Sequence, residues 1–81
     1  MRGEKMAKAY LKIKAEMGRE RGLRDALLKF DEIKSADLTT GNQDIIAVIE
    51  SDSYENILQA VNDRFRTLKG VEDTVTDLVL E

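Results

Sequence analysis

The residues with most chemistry to offer are five in a row, Thr40, Gly41, Asn42, Gln43 and Asp44, which run straight into the apolar stretch Ile45, Ile46, Ala47, Val48 and Ile49. Backbone N–H groups around Gly41 can hold a carboxylate, and Asp44 can accept hydrogen bonds from an ammonium. Opposite partners so close together suit an α-amino acid. The same residues also make a plain hairpin turn with Asp44 as a turn-stabilising acid, and on residue type alone that is the preferred reading. Thr74 and Thr76, two apart and so on one face of a strand, offer hydroxyls to such a ligand, although alternating threonine is common in strands.

Little else in the chain suggests chemistry. With no cysteine and no histidine among 81 residues, it lacks a disulfide framework, a thiol nucleophile, the commonest metal ligand and the usual general base near neutral pH. No metal site and no cofactor is expected. Asp31 and Glu32 are adjacent carboxylates, and Asp52 and Glu55 have the spacing of helix-capping acids. Lys8, Lys12 and Lys14 alternate with Tyr10 as a basic stripe. A formal net charge of −3 and the missing aromatic pairs argue that it is an ordinary charged sheet face, and no DNA binding is expected. No apolar run approaches the roughly 20 residues of a spanning helix, nor does the start resemble a signal peptide. The expected location is cytoplasmic, away from any membrane.

These residues need elements to hold them. Residues 1–6 show no periodicity and are expected to be a disordered leader, with residues 7–81 forming one ligand-binding domain. A domain this small hides only about 60 to 65% of its unfolded surface, so association would help it. From Ala7 to Ala15 apolar and polar residues alternate, which predicts a strand. Leu23, Ala26, Leu27 and Phe30 then trace a helix face, with Gly22 blurring its start. Residues 33–39 predict a polar edge strand. Gly41 and Asn42 tolerate positive φ, which places a hairpin reversal there before the strand 45–49. Asp52 and Ser53 are capping residues, with Glu55 completing a capping box. Tyr54, Ile57, Leu58, Val61, Phe65 and Leu68 form the next helical stripe, closed by Lys69 and a left-handed Gly70. Residues 71–80 are β-prone.

The order strand, helix, strand, strand, helix, strand is a split βαβ arrangement, an α+β fold of ferredoxin-like βαββαβ type. It predicts a four-stranded antiparallel sheet with both helices on one face. Residues 45–49 are apolar at every position, so some of them must face outward whichever register holds. A sheet apolar on both sides needs cover on both sides. Sheet-to-sheet homodimerisation is the economical solution.

The strand Ala9 to Lys14, residues 40–44 before 45–49, and Leu68-Lys69-Gly70-Val71 leading to Thr74-Val75-Thr76 resemble the effector-binding (RAM) domain of the Lrp/AsnC family of transcription regulators. The similarity runs from Ala7 to Leu80. It implies the split βαβ fold, dimers of the dimeric α+β barrel type, further assembly into rings, and amino-acid binding in clefts between subunits. Thr40, Gly41, Asn42, Gln43 and Asp44, with Thr74 and Thr76, would hold the ligand. There are departures. No helix-turn-helix fits before Ala7, so the chain resembles a stand-alone version whose partners are copies of itself or a full-length regulator. Gln43 stands where the family often has an aromatic residue, and Met17 and Lys69 where it often has proline.

The expected function is therefore a non-enzymatic amino-acid-sensing module. Alternatives are a small enzyme of the same barrel architecture, such as a monooxygenase, or a purely structural assembly module.

Overall fold

The computed structural model describes residues 6–41 and 43–80; Asn42 and nearly all of the expected leader, residues 1–5, lie outside them, as does Glu81. Strand β1 (Ala7–Ala15), helix α1 (Glu20–Leu27), strands β2 (Ile33–Leu38) and β3 (Ile45–Ser51), helix α2 (Tyr54–Ala60) and strand β4 (Val71–Val79) follow in that order. They form one antiparallel sheet in the order β2-β3-β1-β4. This is the βαββαβ fold expected from the periodicities.

Pairing decides what residues 45–49 left open. Ala9 lies opposite Ile49, Leu11 opposite Ala47 and Ile13 opposite Ile45, and directly opposed residues share a face. All six are fully buried beneath Leu23 and Leu27 of α1 and Ile57 of α2. Ile46 and Val48 consequently fall on the open face, beside Tyr10 and Val75, which are 40% and 42% exposed. Strand β2 is an edge strand, as its polarity predicts.

Three local expectations are corrected. The cap of α2 is Ser53, whose Oγ accepts from the Asn56 N–H (3.1 Å), in place of an Asp52–Glu55 box. Tyr54 and Leu58 are 38% and 42% exposed, because small Ala60 takes the inner position between Ile57 and Val61 and turns that stripe outward. Beyond Ala60 the helix widens into a π-helical segment, Val61–Phe65, in which the Arg66 N–H reaches the Val61 carbonyl at 2.9 Å. Positive φ occurs at Gly18 (+87°) and Gly70 (+99°) and not at Gly41, so the hairpin does not draw on Gly41 for a left-handed turn.

Candidate functional site

The β2–β3 connection is closed by its own polar groups. Thr39 donates its N–H to the Asp44 carbonyl (2.8 Å) and its hydroxyl to the Gln43 carbonyl (2.7 Å). Asp44 then ties the hairpin to the end of β1, its N–H donating to the Ile13 carbonyl (2.8 Å) and its Oδ2 accepting from the Ala15 N–H (2.9 Å). Among the described residues the other carboxylate oxygen has no hydrogen-bond partner. Thr40 and Gly41 are exposed, while Gln43 and Asp44 are half-buried. A methyl group at Gly41 would meet only the Gln43 carbonyl, at 4.0 Å. Neither backbone conformation nor internal packing therefore demands a glycine there.

Thr74 and Thr76 lie opposite Ile13 and Leu11 in β4. They are half-buried and share the helix-covered side of the sheet. Thr74 reaches the same end of the sheet as Asp44, but β1 stands between β3 and β4, a separation of roughly 10 Å or two strand spacings. Thr76 is further in. Within one chain the hairpin residues and the threonines are therefore kept apart. Thr74 borders a cleft of about 180 Å³ with Arg66, Val71, Glu72 and Asp73.

Two further clusters were not evident from residue spacing. Arg64, in the π-helical segment, hydrogen-bonds the Glu32 carboxylate and lies over the rings of Phe30 and Phe65, 5.5 and 5.4 Å from their centres. Arg64 holds the Glu32 carboxyl below its ordinary value, helped by the backbone and by Lys34. At the far end of the sheet from the hairpin, a cleft of about 700 Å³ opens between the start of β1, the end of β4 and the start of α2. Its walls include Met6, Tyr54, Leu58, Val79 and Leu80. The Tyr54 hydroxyl donates to the Val79 carbonyl across it (2.6 Å).

Within the basic stripe Lys12 pairs with Asp77 at 2.9 Å, Lys8 lies over the Tyr10 ring, 5.7 Å from its centre, and Lys14 is exposed. Among the described residues no helix is long and apolar enough to cross a membrane.

Residues 8–81 match the family model described as the Lrp/AsnC ligand binding domain. No curated protein gives a significant match. Among solved structures, FFRP-DM1 superposes with a TM-score of 0.88 at 25% identity, over 93% of this chain and 100% of its own. The hypothetical protein PHS023 from Pyrococcus horikoshii gives 0.87 at 25%, over 94% and 92%. The transcriptional regulator NMB0573 from Neisseria meningitidis, solved as an L-Met complex, gives 0.82 at 21%, over 93% of this chain but 50% of that one.

Proposed function

Because this chain belongs to the family of Lrp/AsnC ligand-binding domains, we propose that it is a non-enzymatic, cytoplasmic effector sensor that binds a free α-amino acid between subunits. Thr40, Gly41, Asn42, Gln43 and Asp44 of one subunit supply one half of the cleft, and Thr74 and Thr76 of another supply the rest. The ligand carboxylate lies on the backbone at Gly41, its ammonium on Asp44, and Gln43 helps to select the side chain. The observation that carries this reading is the open space at Gly41, a glycine that its own fold does not need, near the Asp44 carboxylate, one oxygen of which has no hydrogen-bond partner among the described residues. The L-Met bound to the Neisseria regulator supports an amino acid as the ligand class.

The subunits pair through the open sheet face around Ile46 and Val48, and the dimers join into a ring. A full-length regulator of the family is a further partner through mixed assembly. The chain does not itself bind DNA, since its formal net charge is −3 and a binder needs clustered cations to neutralise phosphates. An enzyme reading gains nothing from Glu32, whose pKa is lowered, whereas a general acid working near neutral pH needs a raised one. The bond from Ala15 to Asp44 favours one competitor, a structural module in which Asp44 only braces the hairpin.

A thermal-shift screen of the common amino acids separates the two. Ligand at a hundred times its dissociation constant stabilises the fold by about 2.7 kcal/mol per site, a melting shift on the order of 4 to 8 °C for this size. Asp44→Asn keeps an acceptor for the Ala15 N–H but loses the charge, so affinity drops by about 1.5 to 3 kcal/mol with assembly intact. No shift with any amino acid at millimolar concentration would leave the structural module as the reading.

A further inference from the structure

The carboxylate of Asp44 grips the stretch of β1 that also holds the start of β4. The β1–β3 pairing ends at Ile13 and Ile45, and two residues further on the Ala15 N–H is met by a side chain, Asp44 Oδ2, at 2.9 Å. Successive N–H groups of a strand point to opposite neighbours. The next one, on Glu16, accordingly turns the other way and donates to the Gly70 carbonyl at 2.8 Å. Two consecutive amides thus clamp the end of β1 between the hairpin on one side and the root of β4 on the other.

Both anchors are themselves fixed. Asp44 is held through its backbone, its N–H on the Ile13 carbonyl and its carbonyl under the Thr39 N–H, each at 2.8 Å. Glu16 also accepts from the Arg19 N–H (2.9 Å), and Gly70, at φ +99°, packs against the Arg19 side chain. Just beyond, β4 is irregular: Lys14 faces Asp73 and Ala15 faces Val71, so Glu72 is one residue more than β1 can pair. A bulge of this kind re-aims the side chains beside it. Thr74 stands two residues past Glu72, opposite Ile13, on the wall of the small cleft shared with Arg66.

We infer that Asp44 is a positioning residue for Thr74: its carboxylate, acting through Ala15 and Glu16, sets where β4 begins and how Thr74 is presented. For its use the inference rests on the amino-acid reading, in which Asp44 and Thr74 both serve the ligand although they stand apart in one chain. An ammonium on the free oxygen would load the same carboxylate that holds Ala15, so what binds at the hairpin is felt at Thr74. By linkage, a change at Thr74 alters the hold on the ammonium in return. Coupling between separated groups travels through contiguous bonded networks. Asp44, Ala15, Glu16 and Gly70 supply one.

Amide hydrogen exchange followed by NMR on the ligand-free protein is the test. Asp44→Ala removes the acceptor, so the Ala15 N–H should exchange roughly ten- to a hundredfold faster, as befits a lost bond to a charged group. The Glu16 N–H should accelerate with it and the Thr74 backbone and methyl signals should shift, while those of Asp77 and Leu78 stay in place. Asp44→Asn keeps a neutral, weaker acceptor, so the same groups should respond in the same order and by less, which provides the answer where Asp44→Ala does not fold. The inference fails if Glu16 and Thr74 do not move in the variants that fold, which would make Asp44 a brace of the hairpin alone. It fails equally if every amide of the sheet accelerates alike, the mark of general destabilisation. No amino acid takes part, so an empty thermal-shift screen would sink the ligand reading and leave this result standing.

Discussion

At Gly41 a methyl group finds open space, and this sets up a substitution that separates folding from binding. Gly41→Ala should leave stability within about 0.5 kcal/mol of the parent, as for other surface changes, or raise it slightly by restricting the unfolded chain. Amino-acid affinity should nevertheless fall by roughly tenfold or more, because about 1.4 kcal/mol of lost contact suffices for that. Calorimetric titration beside urea unfolding reads both effects. Glu32 offers a second residue-level prediction, in pH. Arg64 and the backbone hold its carboxyl below the ordinary 4.5. A carboxyl depressed by folding contributes stability that is complete above its unfolded value and fades as pH falls through its folded value. The pair is 44% exposed at Arg64 and 27% at Glu32, so the contribution is of the order 0.2 to 1 kcal/mol. Glu32→Gln should cost that much at neutral pH and nothing in strongly acidic buffer, as measured by urea unfolding at both.

Among the elements, the end of the second helix depends most on one residue. Gly70 has φ +99°, and a methyl there would approach Arg19 Cδ to 3.1 Å, so Gly70→Ala should cost about 1 to 2 kcal/mol. A lowered urea midpoint without change in slope would be the signature. This glycine was legible in advance because it follows Lys69 at the end of a long apolar stripe, as was the strand–helix order, which rests on periods of 2 and 3.6. The register of β3 was not legible. With Ile45 to Ile49 apolar throughout, only pairing with Ala9, Leu11 and Ile13 decides which side is inside. Nor was the inner role of Ala60, since a small residue contributes little to an apolar stripe yet allows close approach. Asp44 was legible as an acid in a turn, but its partner is a backbone N–H 29 residues away, which no side-chain pattern announces. Arg64 and Glu32, 32 residues apart, were hidden for the same reason.

For the molecule as a whole, the open face has now been assigned particular residues. Val48→Asp would place an unpaired charge in the proposed pairing surface, at a cost of about 3 to 5 kcal/mol when buried, so light scattering should show the assembly dissociating while the fold of each subunit persists. The ladder between β1 and β4 has a consequence of another kind. Lys8 lies opposite Val79, so the start of β1 and the end of its edge neighbour meet at one corner of the sheet, and Thr74, opposite Ile13, lies toward the other end of that ladder. Antiparallel bonds run perpendicular to the strands. A mechanical load applied through these two points would open the bonds one after another, like a zip, instead of shearing them all at once. Tension would therefore strip β4 from the Val79 end, and Thr74 would let go late, just before the final pairs at Asp73 and Val71.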